Sequence, residues 1–458
     1  MNPTDRLVKW RRPVVLIRAA LADPMTRNSL ALMVNTIGTS ALGYLFWVIV
    51  ARRFDATTGG TVAATMSAIQ ATVVVTSIGA AAALVEWLPR STSASEWRRR
   101  VTTGMTVGGV CAGAGAVLVV ALLGTGLGVL PQLAGPIGAA LFVVACVLSA
   151  TGQVVDSVAI SDHRAGVLIG RNVLMCGLRI PLIFLPAAVI AAPDLILLAW
   201  VLAAGLAMIW ATVAFGSKAG HALRFAYRGF FTHLRQMAPA LVGQHTVTVT
   251  SMLAGYVLPV IVYIRLSAAD NAYFYITWML GSVFFIVSPA VAASLFVEGA
   301  SRRSDLPVLA RRCALTIVAL LVPPVLVYIV AGRWILELFG SEYSVNGYAL
   351  LLVLALSAVP DAVTNLAISV LRVTDRVRIA LLLNAGMLIG CLTAAWFATP
   401  VLGILGAGVA WLLSQSMGAV WVLARWRRIV GVNAPSDGTA AGRAGAEALP
   451  LTVEETGR

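Results

Sequence analysis

The sequence predicts an all-α polytopic membrane protein: twelve transmembrane helices forming two parallel six-helix repeats around a central cavity. Three observations predict it. The 458 residues are 59% hydrophobic and only 11% charged, where a soluble domain carries about 25% charge. The mean hydropathy is +0.90, and the apolar runs are long and continuous, unlike the short alternating segments of a membrane β-barrel. Finally, the chain resembles itself at a fixed offset, as described below.

About 20 apolar residues cross a bilayer core as a helix. Twelve such runs are expected at 28–51, 61–86, 101–126, 136–159, 166–191, 194–216, 237–264, 272–297, 312–332, 346–371, 377–399 and 401–425. The basic segment 1–27 precedes them. It contains no signal peptide, because Lys9, Arg11, Arg12 and Arg18 break its apolar stretches. Residues 6–22 read either as a helix lying on an anionic leaflet or as a plain basic tail. Lobes are expected at 28–216 and 237–428, joined by the basic linker 217–236. The Gly/Ala/Pro/Glu-rich segment 429–458 is expected to be disordered.

Charge gives the orientation. The excess of 33 Lys+Arg over 19 Asp+Glu gives +14. If the spans alternate, 27 of the 33 basic residues fall on the side that holds both termini. That asymmetry predicts cytoplasmic termini in a multi-pass cell-membrane protein, and it accounts for the basic balance without nucleic acid. Cys111, Cys146, Cys176, Cys313 and Cys391 all lie in apolar runs and read as small buried residues. The four histidines are scattered, so neither a metal site nor a cofactor is expected. No loop is long enough to fold as a domain, and no Walker A pattern occurs. An enzymatic domain is therefore not expected.

Shifting the chain by 212 residues lays 43–90 on 255–302 without a gap, with 14 identities in 48 positions. Gly43-Tyr44 meets Gly255-Tyr256, Arg53 meets Arg265, Glu86 meets Glu298, and Arg90 meets Arg302. Matched charges weigh most, since charge is scarce. Six spans per unit is an even number, so the halves share one orientation, and substrate sites of transporters lie at such repeat interfaces.

VARRFDATTGG at 50–60, VEWLPR at 85–90, ELFGSEYSVNGYALLLVLALS at 337–357 and GILGAGVAWLLSQ at 403–415 carry a family resemblance. In this order, with twelve spans and the repeat, the chain resembles the polysaccharide and lipid-linked oligosaccharide branch of the MOP exporter superfamily. O-antigen flippases, lipid II flippases and MATE exporters are its relatives. The resemblance implies a V-shaped pair of lobes working by alternating access on a polyprenyl-pyrophosphate-linked glycan. The implied partners are that lipid-linked glycan, membrane lipids and other membrane proteins of polysaccharide assembly. The sequence departs from the family at SAADNAYFY, 267–275, where an acidic residue is usual.

Candidate site residues follow from the cost of intramembrane polarity. Arg179 lies roughly 20 Å along span five. Its guanidinium suits a pyrophosphate, because it stays charged and donates as a fork; a structural pairing is the alternative. Arg171, two turns earlier, either borders the same face or pairs with Asp156. Asp156 otherwise stands as an ion-coupling candidate, as does Asp361 after Pro360, which alternatively packs against Asn365 or Asn384. Gln70, Gln244 and His245 are candidates for sugar hydroxyls, or else helix–helix hydrogen bonds. Arg53 and Arg265 form a candidate outer gate, or act as interfacial anchors. Glu86, Arg90, Glu298 and Arg302 form a candidate inner gate, or solvated helix ends. A MATE-like exporter of cations would place carboxylates, not an arginine, deep in the cavity. A membrane glycan polymerase or ligase would need a longer outer loop than any here.

Overall fold

The computed structural model describes residues 24–185, 190–216, 225–301 and 305–429; the side chains of 24–34, 240, 244, 300 and 301 are not described. Most of the basic N-terminal segment, Arg302, the Gln244 side chain and the tail from 430 onward lie outside this description. The described residues are helical throughout, without a strand. In order the helices are α1 Pro24–Arg53, α2 Ala56–Thr76, α3 Ala80–Trp87, α4 Ala94–Val119, α5 Pro136–Ser161, α6 Ala165–Leu182 and α7 Ala192–Gly216. The second half holds α8 Phe230–Arg265, α9 Ala268–Ser301, α10 Leu306–Glu337, α11 Ser341–Val373, α12 Val377–Leu402 and α13 Ile404–Ile429. Eleven helices among the described residues are long and apolar enough to cross a membrane. α1, at 30 residues, is a further helix long enough to cross. Together they match the twelve-span all-α reading.

Local chemistry sets the boundaries. Asp55 caps α2: its carboxylate accepts from the Thr58 amide at 3.2 Å and from the Thr58 hydroxyl at 2.6 Å. Ser93 caps α4 through the Glu96 amide, and Glu96 reaches back to the Thr92 amide at 2.9 Å. Along α2, the hydroxyls of Thr61, Thr65, Thr72 and Thr76 donate to carbonyls one turn earlier. Such internal bonds let polar side chains sit in an apolar span.

Three predicted spans differ in extent. The predicted span 61–86 is broken: α2 stops at Thr76 and α3 restarts at Ala80. Ile78 and Gly79 between them have φ of 49° and 65°, a left-handed break that an apolar run does not reveal. A Cβ at Gly79 would lie 2.7 Å from the Leu241 carbonyl oxygen of α8, so glycine is needed there for space as well. The predicted span 166–191 is too long, because α6 ends at Leu182, directly after Pro181. The predicted span 237–264 starts earlier in the structure, since α8 already begins at Phe230.

The repeat is visible in the helix bounds. α1 and α8 end at Arg53 and Arg265, and α2 and α9 begin at Ala56 and Ala268, each pair at the same 212-residue offset. The two halves meet mainly through α2 against α8 and α9. At the face holding Arg53 and Arg265, one apolar cluster runs through both halves, from Phe46, Ile69 and Phe142 to Phe284, Leu336 and Leu351. Toward the opposite, arginine-rich face the core divides. One cluster there holds Leu84, Trp97 and Phe215, and a separate one holds Leu295, Leu371 and Val422. α8 crosses this divide: Met237 and Leu241 pack in the first-half cluster, while Leu258 and Val262 pack in the second half.

Candidate functional site

Where the halves meet, α1, α6, α8 and α9 converge on Arg179. Its guanidinium stacks over the Phe46 ring, 4.7 Å from the centroid. Gly43 of α1 lies beside it: a Cβ there would touch Nη2 at an ordinary contact distance of 3.6 Å. From the second half, Tyr275 lies within electrostatic reach of both Arg179 and Tyr256, and its ring packs on Trp47 at 4.7 Å. The Tyr44 hydroxyl donates to the Met279 carbonyl at 3.2 Å, tying α1 to α9. Arg179 Nε is buried without a hydrogen-bond partner, and Arg179 makes no ion pair among the described residues. The charge lies roughly 21 Å from the start of α6, and Gly43 roughly 15 Å from the end of α1. The result is a cation facing the second half across an aromatic wall, with donors to spare.

Arg171 is placed differently. It donates to Asp156 through Nε at 2.9 Å and Nη2 at 2.8 Å, a two-pronged pair across α5 and α6. Asn172 lies 3.4 Å from the same carboxylate. The arginine side chain is 7% exposed, and it lies flat across Gly152, where a Cβ would come within 3.0 Å of Nη1. Arg171 and Asp156 are committed to each other.

The second half holds its own polar cavity of about 400 Å³, bounded by α8, α9, α11, α12 and α13. Asp361, Asn365, Asn384 and Gln415 face it. Asp361 is 4% exposed, and its Oδ2 has no hydrogen-bond partner among the described residues. Thr364 bonds Gln415 at 3.1 Å across α11 and α13. The Asn365 amide donates to the Asp361 main-chain carbonyl at 2.9 Å, and Ser288 and Asn365 also stand within hydrogen-bonding reach of the carboxylate.

The remaining candidates scatter. Gln70 Oε1 and His245 Nδ1 are buried without partners, but no described contact joins them to Arg179. Arg53 stacks on Phe184 at 5.0 Å, within its own half, and Arg265 stacks on Trp396 at 4.8 Å within the other. Their neighbour Arg52 spans the halves instead, donating to the Glu337 and Leu338 carbonyls at 2.8 and 3.0 Å. Glu86 and Arg90 pair with each other one turn apart on the exposed end of α3 at 3.1 Å.

The seal beside Arg52 was not among the sequence candidates. Asn271 Nδ2 donates to the Gly60 carbonyl at 2.8 Å, fully buried. A Cβ at Gly60 would overlap the Ala268 carbonyl, so the two helices touch backbone to backbone. Asn271 lies within SAADNAYFY, the segment that departs from the family pattern. Tyr44, bonded across the junction, and Tyr256, near Tyr275, were also missed; the Gly-Tyr pair shared by both repeats was the available signal.

No protein-family model and no curated protein sequence matches the chain. Solved structures do. The chain is similar to the lipid II flippase MurJ in an inward closed conformation, with a TM-score of 0.68 and 11% identity over 86% of this chain and 87% of that one. It is similar to an inward-facing multidrug resistance MATE family transporter, with a TM-score of 0.60 and 14% identity over 91% and 99% of the two chains. A MOP superfamily transporter from Pyrococcus furiosus with a binding pocket of reversed polarity gives 0.59 and 14% identity over 91% and 98%. At these identities the likeness establishes architecture, and on that basis the chain has the fold of the MOP-superfamily transporters.

Proposed function

We propose that this protein flips a polyprenyl-pyrophosphate-linked oligosaccharide from the cytoplasmic to the outer leaflet by alternating access, serving cell-surface polysaccharide assembly. The single observation that carries this reading is Arg179: a half-buried guanidinium at the junction of the two halves, stacked on Phe46 and paired with no carboxylate among the described residues. A fixed cation in an apolar site attracts a doubly bonded anion. Tyr275 near it, with Tyr256 next to Tyr275, offers aromatic rings that suit the faces of sugars and hydroxyls for hydrogen bonds. The prenyl chain stays in lipid. Both termini are cytoplasmic in this reading, by the basic asymmetry of the loops. The division of the core toward the arginine-rich face then corresponds to a molecule poised toward the cytoplasm, sealed on the outer side by Asn271 and Gly60.

Asp361 is the coupling group in this reading, since its carboxylate faces a cavity without a cationic partner among the described residues, while Asp156 is neutralised by Arg171. Its seat inside the second half, away from Arg179, also weighs against a cationic cargo at the junction between the halves.

The test begins with membranes from cells depleted of the protein. Lipid-linked glycan accumulating on the cytoplasmic leaflet supports the reading and identifies the cargo. Arg179→Ala should reproduce the accumulation, and Arg179→Lys should restore only part of the flux, because a charged hydrogen bond contributes about 1.5–3 kcal/mol and an ammonium cannot supply the fork. Unchanged glycan with reduced efflux of cationic dyes would replace this reading with a drug exporter. Accumulation on the outer leaflet would replace it with a polymerase or ligase.

A further inference from the structure

A second cavity, of about 850 Å³, opens on the flank of the second half between α12 and α13. No residue of the first half lines it, and it shares none of the residues around Arg179. Below the arginine mouth it runs from Trp421 to Ala410 along α13, roughly 17 Å of helix, close to the depth of about 15 Å of one leaflet of a bilayer core. Its floor exists because α12 carries glycine where a side chain would fill it. A Cβ at Gly386 meets nothing within 4 Å, and one at Gly390 meets only the Ser414 hydroxyl, at 3.7 Å. That hydroxyl already donates to the Met387 carbonyl at 2.5 Å. The floor is therefore apolar and its polar atoms are satisfied. Leu382 and Met417 on its rim are 73% and 74% exposed.

The mouth is different. Arg376, Arg425 and Arg428 gather there, and no carboxylate lines the cavity. Arg376 is held across the opening by a 2.8 Å bond to the Arg428 carbonyl. The Arg425 guanidinium lies over the Trp421 ring at 4.8 Å. None of the three makes an ion pair among the described residues. They belong to the arginine-rich face, the one the basic asymmetry assigns to the cytoplasm, where anionic lipids concentrate.

From a dry, leaflet-deep slot ending in three uncompensated guanidinium groups, we infer a binding site for one anionic glycerophospholipid of the cytoplasmic leaflet. An acyl chain fills the space left by Gly386 and Gly390, and the headgroup phosphate meets Arg376, Arg425 and Arg428. Tryptophan at 421 marks the boundary between the two, the usual depth of an interfacial ring. A second copy of the chain is a poorer occupant, because a symmetric contact would bring two sets of arginines together. The inference stands independently of the proposed cargo, and its readout is lipid binding alone.

Trp421 supplies the assay. The purified full-length protein is titrated in detergent with phosphatidylglycerol or phosphatidylcholine brominated on the acyl chains. The part of tryptophan quenching that disappears in Trp421→Phe is taken as the signal from the slot. Phosphatidylglycerol should be preferred at least tenfold, since each arginine near an anionic headgroup contributes about fivefold in affinity. Arg376→Gln, Arg425→Gln and Arg428→Gln together should bring the two lipids within about twofold of each other. Gly386→Leu should remove the Trp421 signal while leaving helical content and elution volume unchanged, because the added side chain enters open space. Equal quenching by both lipids would overturn the inference. So would a Trp421 signal indifferent to Gly386→Leu, or a dimer that Gly386→Leu dissociates, which would give the slot to a second copy.

Discussion

Four ionisable side chains in the membrane-spanning part show how differently the same chemistry is used. Arg171 and Asp156 neutralise each other with good two-pronged geometry; Arg179 faces the junction between the halves with capacity left over; Asp361 lines a cavity within the second half with Oδ2 unpartnered among the described residues. Removing one partner of a buried pair costs about 3–5 kcal/mol, because the other charge is stranded. Asp156→Asn should therefore lower the thermal midpoint of the purified protein sharply, while Asp156→Leu combined with Arg171→Met should recover most of the loss. Sequence reasoning identified these residues because charge in a span is conspicuous. It named the Asp156–Arg171 pair as one of two readings and could not choose between them from spacing alone, because spacing along one helix does not say which neighbour crosses it. Tyr256 and Tyr275 escaped because an aromatic residue in a span looks like packing until its position across the junction is known.

At the scale of elements, the apolar runs located the spans well and their interruptions poorly. The break between α2 and α3 rests on two backbone conformations, at Ile78 and Gly79, which hydropathy does not register. Gly79→Ala should destabilise the protein by about 1–3 kcal/mol, measured as thermal unfolding, since it adds left-handed strain to a close approach to Leu241. Asp55 gives a gentler test at the start of α2, outside the span. The hydrogen bonds from Thr58 hold its carboxyl below the usual carboxylate range. A lowered folded-state value means that this stabilisation is complete above the ordinary carboxylate pKa and is lost as pH falls through the lowered one. Asp55→Ala should cost about 1 kcal/mol at neutral pH, and the difference from the unaltered protein should shrink on acidification.

For the whole molecule, the repeat was legible as matched residues at a fixed offset, and the helix bounds keep that offset. Which face is joined was not legible, because it depends on contacts between residues more than 200 positions apart. Gly59 and Ala272 provide a handle on it: a Cβ at Gly59 would stand 4.0 Å from the Ala272 Cβ, within the range of a disulfide. With the five native cysteines replaced, Gly59→Cys with Ala272→Cys should cross-link under oxidation, arrest the proposed transport and recover it on reduction. Free flux in the cross-linked protein would show that this face need not separate. The same contact has a consequence for ancestry. Gly59 and Asn271 occupy equivalent places in the two repeats, but only the asparagine brings a hydrogen-bond donor, which meets the carbonyl of the close-packed Gly60. Two identical subunits would carry that donor on both sides or on neither. The lock-and-notch at this face is therefore a product of divergence after fusion, available only to a protein whose two halves are free to mutate separately.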